Sequence, residues 1–427
     1  MTSTTPYFIA EANKRYSPRK NLEGEVRTDI LVVGGGIAGL SAANKLTQVT
    51  PRSTKITVVE ADRLGHATTG KSSGLLVDSI EDDFVDSDPA VCDQLNKGLE
   101  GIITATTENN LACDLRKTPS LYLARKEEHI GVVVREYEAR KAADFPVQLL
   151  NNYGHILERA TIGHTFAAML NEEGYCIDGL AFTQELGRIL DPRVRIYERT
   201  PIIQVNRSKK TAKTPQGTIH YGSVVFTNGA GAIDLDLLKH KVFFLETAVA
   251  VTRPLTEEEF QKTWKRGEHM LWDSEDLGYV YARPVGDKRI LIGGSDRLNS
   301  LAKVREGKSN IKQPEKELKS LFNSLFPHLA EEVAFSHLWT GVIPAPIDGL
   351  SFVGEISPQH FVALYNAGLP NAFRSGELVA EMVATGKEPE DFDLFRWNRD
   401  ISFREKSRVL TKWEPVTSLA NYFFFRK

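Results

Sequence analysis

The sequence predicts an α/β protein, α+β overall, in which a parallel β-α-β unit is joined to a second, mainly antiparallel sheet. Three observations carry this. The apolar run Ile30–Val33 leads straight into Gly34-Gly35-Gly36-Ile37-Ala38-Gly39, the spacing of a strand, a tight glycine turn and a helix start. A second apolar run, Ile56–Val59, follows and ends in Glu60, about twenty residues past Gly39. Further on, Phe243–Arg253, Gly278–Pro284 and Arg289–Gly294 alternate apolar and polar residues, as strands of one half-buried sheet do.

The elements follow in order. Residues 1–27 read as an extended polar lead, and residues 29–60 as the β-α-β unit, its helix ending before Pro51. A Thr/Ser/Gly-rich loop runs from Gly65 to Gly74. Residues 92–109 and 125–143 have helical patterning, with a short strand at Leu121–Ala124 after Pro119. Ala181 to Leu190 is a helix behind Asp178-Gly179. Short strands are expected at Val194–Tyr197, Ile202–Val205 and Val224–Phe226, the last ending in Thr227-Asn228-Gly229. Residues 314–325 form an amphipathic helix, Phe361–Tyr365 a strand, and Ser375–Thr385 a helix. The tail, 391–427, reads as helical and aromatic, with Tyr422–Phe425 packing on the body of the protein.

Bulk properties bound the function. A chain of 427 residues with 41% hydrophobic content can build two or three domains. A net charge of −3 gives no reason to expect nucleic acid. The 3 cysteines, Cys92, Cys113 and Cys176, have no metal-ligand spacing and fit a reducing compartment. The N-terminal residues lack the apolar segment of a secretory leader, and no run approaches the ~18 apolar residues of a transmembrane helix. The expectation is a cytoplasmic protein without a metal site; the oligomeric state is left open.

The glycine turn has a chemistry. Gly34 permits the turn, Gly36 lets a pyrophosphate approach bare backbone, and Gly39 lets the helix pack closely on the strand. The N–H groups around Ile37 and Ala38 then face phosphate at the positive end of the helix. Glu60, with Ala61 behind it, can accept the ribose hydroxyls of an adenosine. This start alone does not separate NAD from FAD. A second glycine segment does more: Trp339-Thr340-Gly341-Val342-Ile343-Pro344, then Gly368-Leu369-Pro370-Asn371-Ala372 before the last helix. A helix N-terminus there can stabilise negative charge on a reduced flavin.

This order of motifs resembles the D-amino-acid oxidase superfamily of FAD-dependent oxidoreductases, in the branch of glycine oxidase, sarcosine oxidase and γ-glutamylputrescine oxidase. The resemblance covers most of residues 23–386, including the lead Leu22-Glu23-Gly24-Glu25. It implies a Rossmann-like FAD-binding domain built from 27–90, 155–235 and 336–390. It implies a substrate domain from 91–154 and 236–335. The loop residues Thr68, Thr69, Gly70, Ser72, Ser73 and Gly74 match the family segment that touches flavin and pyrophosphate. Ile202 matches the position that lends backbone atoms to adenine, and Asn228 and Gly229 match a strand-end turn beside the cofactor. Gly341, Gly368, Leu369, Asn371 and Ala372 match the flavin-edge segments.

Departures from the family pattern narrow the function. Ile343 stands where the glycine oxidase pattern has a carboxylate-binding arginine, which argues against a simple α-amino acid substrate. No cysteine follows Cys176, and Lys71 stands where some relatives carry a tethering histidine, so FAD is expected to be noncovalent. Leu291 matches the lysine that activates dioxygen in sarcosine oxidase. Trp272, Tyr279, Tyr281 and Arg283 lie on or near second-domain strands, and the last three share a face with period two. They are the candidates for a pocket in which rings favour a cation. The expected reaction is oxidation of a primary or secondary amine, such as a polyamine or an amino-acid derivative, to an imine by hydride transfer to flavin N5. Two alternatives stay open: an FAD-linked 2-hydroxy acid or glycerol phosphate dehydrogenase, and a flavin-binding partner subunit without catalysis.

Overall fold

The structure is a computed structural model that describes residues 2–76, 84–235, 237, 241–273, 280–299, 311–330, 332–346, 349–364, 368–389 and 392–399. Its first sheet has eight strands. At its centre β1 (Gly24–Val33) lies between β2 (Ile56–Val59) and β12 (Gly217–Phe226), parallel to both, with Val32 opposite Val58 and Val225. β9 (Val194–Tyr197) extends the parallel run beyond β2. On the other side, β11 (Thr211–Lys213) pairs antiparallel with the first half of β12, and β10 (Gln204–Asn206) pairs antiparallel with β11 at the sheet edge. β19 (His360–Leu364) pairs parallel with its second half and carries β18 (Phe352–Ser357). Leu31 and Val32 are fully buried, as expected of a parallel strand covered on both faces.

The helix after β1, α2 (Ile37–Val49), packs on the C-terminal helix Leu369–Thr385. The contact is close: a Cβ on Gly376 would lie 2.2 Å from the Ala38 carbonyl oxygen, and the Ser41 hydroxyl donates to the Phe373 carbonyl at 2.7 Å. The C-terminal helix begins six residues before the expected Ser375, with Gly368 as N-cap and Pro370 in its first turn. Proline there removes an N–H that has no intrahelical acceptor, so a segment that reads as a loop is helical.

The second sheet runs β17 (Phe335–Pro346), β13 (Val242–Thr252), β16 (Arg289–Asn299), β15 (Val280–Val285), β14 (Met270–Asp273), β5 (Ser120–Ala124), β7 (Ala167–Asn171), β6 (Val147–Leu150). Every pairing is antiparallel except β14 with β5. Alternation sorts its two faces. Ala248, Ala250, Val280, Ala282, Ile290 and Ile292 pack against Leu318 and Phe322 of the helix Lys312–Leu325. Val249, Val251, Tyr281, Val285, Leu291 and Trp339 face the other way, toward the first sheet's loops. A small third sheet of β3 (Leu75–Leu76), β4 (Arg116–Lys117) and β8 (Tyr175–Cys176) sits between them in the chain path.

The structure bears on the expectation in three places. The lead is not extended throughout: α1 (Tyr7–Ala12) is a short helix whose Tyr7, Phe8, Ile9 and Ala12 are buried against Tyr281, Trp339 and Leu180. Six residues are too few to show a helical period, and burial of an aromatic pair outweighs the polar average. Ahead of it, Ser3 forms a parallel bridge with His337, its N–H donating to the Ser336 carbonyl at 2.8 Å. Second, the sheets cut the chain differently from the boundaries at 155 and 336, since β7 and β17 both lie in the second sheet. Helix Pro89–Glu108, expected with the second sheet, places Ile102 in the core around α2. Third, of the tail only 392–399 is described. There Phe392 and Phe395 are buried, while Tyr422–Phe425 lie outside the described residues. No described helix is long and apolar enough to cross a membrane. Cys92, Cys113 and Cys176 are buried and not joined in a disulfide.

Candidate active site

The glycine turn is bolted between three strands. The Gly34 N–H donates to the Val59 carbonyl at 2.8 Å, and the Thr227 N–H to the Val33 carbonyl at 2.8 Å. The Thr227 hydroxyl donates to the Gly34 carbonyl at 3.1 Å. Gly34 has φ +116°, and a Cβ there would lie 2.8 Å from the Thr227 carbonyl oxygen. A Cβ on Gly39 would lie 1.9 Å from the Gly34 carbonyl oxygen, so these two glycines serve packing. Gly36 differs. It is the N-cap of α2 with φ −81° and ψ −174°, and a Cβ there would meet only the Thr69 hydroxyl, at 3.2 Å. The space above the helix N-terminus is therefore open, and Thr69 is the side chain that borders it, accepting from the Ile37 N–H at 3.4 Å. Ala38, next in this first turn, has one of the N–H groups for which a helix offers no acceptor.

Glu60 closes one side of this space. Its carboxylate accepts from the Gly35 N–H at 2.7 Å and from the Asp62 N–H at 3.0 Å, past the exposed Ala61. Burial pushes its carboxyl up from the usual carboxylate range, and the Asp62 and Gly35 N–H groups oppose that. A carboxylate has about four lone-pair directions, so two remain for a ligand. Glu198, fully buried, accepts from the Leu64 N–H at 2.7 Å and from the Tyr16 hydroxyl at 2.8 Å. It ties the N-terminal lead to the loop beyond Glu60; nothing in the sequence pattern marks it. On the β12 side, Ile202 is half-buried in the apolar cluster around Tyr197 and Phe226. Asn228 carries a buried Oδ1 with no partner among the described residues, and Gly229 has φ +50°.

The loop 65–74 joins the two sheets. It contains the short helix α3 (Thr68–Lys71). Thr68 is exposed; the buried Gly70 donates its N–H to the Gly65 carbonyl at 2.6 Å. The Lys71 carbonyl accepts from the Trp339 indole at 3.1 Å, and the Ser72 hydroxyl donates to the Thr69 carbonyl at 2.8 Å. A Cβ on Gly341 of β17 would lie 3.8 Å from the Lys71 Cβ, so Gly341 faces the loop. A Cβ on Gly179 would lie 3.0 Å from a Leu369 methyl and 3.4 Å from the Ser72 hydroxyl, which brings the C-terminal helix to the same loop. Gly368 there has φ +76°, and Leu369 and Ala372 are buried. The Asn371 side-chain Oδ1 accepts from the Ser351 hydroxyl at 2.9 Å, whereas its buried Nδ2 has no partner among the described residues.

The expected pocket candidates divide. Tyr279 lies outside the described residues. Trp272 stands opposite Tyr281 on β14 and packs on Tyr122 at 6.3 Å between ring centres. Tyr281 lies over Gly293, where a Cβ would be 2.1 Å from its ring. Its hydroxyl shares hydrogen bonds with the side chains of Thr247 and Ser73, and burial raises its pKa above the ordinary tyrosine value. Arg283, a pocket-lining candidate by its period-two spacing, has its guanidinium committed to backbone. It is 0% exposed and donates to the backbone carbonyls of Ser73 and Ile177 at 2.6 and 3.0 Å. Alternation correctly gives it the face of Tyr281, but a face toward the cofactor loop is not the same as a face toward a pocket. Ile343 is half-buried opposite Leu245, and Leu291 is fully buried opposite Arg283 and Val251. Among the described residues there is no cluster of side chains that could hold a metal ion.

Comparison with known proteins agrees with this architecture. The chain is 24% identical to the γ-glutamylputrescine oxidoreductase of Escherichia coli over 92% of its own length and 91% of that protein's. A probable oxidoreductase, OrdL, of Haemophilus influenzae is also 24% identical, over 88% of this chain and 87% of that protein. Among solved structures, glycine oxidase from Geobacillus kaustophilus superposes with a TM-score of 0.74 at 20% identity, over 88% of this chain and 100% of that one. L-proline dehydrogenase from P. horikoshii superposes with a TM-score of 0.72 at 18% identity, over 89% of this chain and 98% of that one. The family model described as DAO, FAD dependent oxidoreductase, matches residues 29–382, from the first strand through most of the C-terminal helix. By that match the chain belongs to the DAO family of FAD-dependent oxidoreductases.

Proposed function

We propose that the protein oxidises a primary or secondary amine that needs no α-carboxylate for binding, using FAD held without a covalent bond. The observation that carries the substrate class is the pair Ile343 and Arg283: the first is aliphatic, and the second is buried with its donors committed to backbone. A carboxylate wants a free fork of donors, and neither residue supplies one. The E. coli relative, named for γ-glutamylputrescine, supports an amine or amino-acid derivative as substrate.

The residues present fit FAD. Gly36 leaves the α2 N-terminus bare, Glu60 has spare acceptor capacity beside it, and Asn228 keeps a buried oxygen without a partner among the described residues. We assign Gly34, Gly36, Ile37, Ala38, Gly39, Glu60 and Ala61 to the adenosine diphosphate side, with Ile202, Asn228 and Gly229 completing it. Loop residues 68–74, with Gly341, Gly368, Leu369, Asn371 and Ala372, border the flavin side. When bound, FAD supplies a two-electron acceptor for the hydride on the carbon next to nitrogen. The protein's own part is to hold that carbon about 3–3.5 Å from the acceptor and to favour the uncharged amine. The nitrogen lone pair then becomes the C=N bond of an iminium ion, which gives its N–H proton to water to leave the imine, and water hydrolyses that imine after release.

Three results are expected. Acid precipitation should release all flavin to the supernatant; colour left in the pellet would refute noncovalent binding. Glu60→Gln should weaken FAD by about 1–3 kcal/mol, because a charged acceptor for the ribose hydroxyls becomes a neutral one. Equilibrium titration of the apoprotein reads this, and unchanged affinity would remove Glu60 from the site. In an anaerobic panel, mono- and polyamines should bleach the bound flavin faster than glycine, D-alanine or 2-hydroxy acids do. Fastest bleaching by an α-amino acid or a 2-hydroxy acid would overturn the proposed substrate class.

A further inference from the structure

Arg283 is the largest fully buried side chain among the described residues, and a buried guanidinium is costly unless its donors are used. Here they are used across a seam. The Gly74 carbonyl accepts from the Ile177 N–H at 2.9 Å, which joins the end of the cofactor loop to the segment after β8. Arg283, reaching from β15, donates Nε to the Ser73 carbonyl at 2.6 Å and Nη2 to the Ile177 carbonyl at 3.0 Å. It thus grips one carbonyl on each side of the seam. Gly74 makes room for it: φ is +71°, and a Cβ would lie 2.6 Å from Nη2. The Phe8 ring of α1 covers the guanidinium at 5.6 Å from its centre. Two residues back along β15, on the same face, Tyr281 shares a hydrogen bond with the Ser73 side chain.

We propose that Arg283 is a positioning residue for the oxidation: from the second sheet it fixes the backbone at Ser73 and Gly74, and so sets where the loop meets the flavin. A planar fork suits this task, because it reaches two carbonyls at once, which a lysine ammonium on its flexible stem does poorly. The proposal rests on the reading that loop 65–74 borders the flavin.

The test uses the holoenzyme with Arg283→Met, Arg283→Lys and Phe8→Leu. Arg283→Met should shift the visible circular dichroism and midpoint potential of the flavin. It should slow anaerobic flavin reduction by saturating amine at least tenfold, with the amine concentration for half-maximal rate changed less than threefold. Arg283→Lys should recover part of the rate, and Phe8→Leu, which keeps the arginine, should show the same changes in smaller measure if Arg283→Met does not fold. A tenfold rise in the half-maximal amine concentration, with spectrum and limiting rate unchanged, would make Arg283 a substrate contact and overturn the proposal. A lowered melting temperature with an unaltered flavin signature would make it structural only. Hydrogen exchange of residues 65–74 in the wild type, with and without FAD, separates the two readings. Protection by FAD in the wild type that Arg283→Met retains in full defeats the proposal alone. Absence of protection in the wild type defeats the loop assignment on which it rests.

Discussion

Gly36→Val should give a folded protein without FAD. The backbone at position 36 is extended, with φ −81°, so a β-branched residue fits it without strain. The new Cβ meets only the Thr69 hydroxyl, at 3.2 Å, and a side-chain oxygen can move by the few tenths of an ångström required. The methyl groups then occupy the space above the α2 N-terminus that a pyrophosphate needs. We expect binding at least about a hundredfold weaker, a loss of roughly 3 kcal/mol or more. The purified variant should be colourless with a wild-type far-ultraviolet spectrum. Full yellow occupancy would show that the cofactor does not lie over this turn.

Gly39→Ala, only three residues on, should fail in the opposite manner. A single methyl there lies 1.9 Å from the Gly34 carbonyl oxygen and 2.7 Å from the Thr227 hydroxyl. The Gly34 carbonyl cannot retreat, since the turn is held by Val59 on one side and Thr227 on the other. Relief would require α2 to move away from β1, which would open the packing of Ala38 and Ala42 against the C-terminal helix. Core disruption of this kind costs about 4 kcal/mol or more. The urea midpoint of the apoprotein should fall steeply, or the protein should not accumulate in soluble form. A midpoint equal to wild type would mean that α2 is less tightly seated than its geometry indicates.

These two glycines illustrate what is legible in sequence. The spacing fixes a strand, a turn and a helix, and the parallel sheet follows from the apolar runs around Val32, Val58 and Val225. Strand alternation likewise sorts Tyr281 and Arg283 to one face. Sequence does not say what that face meets. Arg283 reads as lining a pocket because it shares a period-two face with Tyr281; only the positions of Ser73, Ile177 and Phe8 reveal a brace. Phe8 itself lies in a six-residue helix too short for a period, in a lead of polar average composition. Glu198 is legible in neither spacing nor motif, since its partners are the distant Tyr16 and Leu64.

The bridge between Ser3 and His337 constrains the order of events during synthesis. The Thr2 hydroxyl donates to a carbonyl 333 residues away in sequence, that of Phe335 at 3.2 Å. At roughly 5–20 residues per second, the first strand-like residues wait on the order of 20–70 s for their partner to be made. Tyr7, Phe8 and Ile9 wait with them, because Trp339 lies in the same cluster. The brace at Arg283 is therefore covered late, after β17 has joined the second sheet. A growing chain stalled before residue 335 would carry an apolar N-terminal helix that can reach Leu180 and Tyr281 but lacks Trp339 to complete its cover, which is where a holding chaperone would be expected to engage.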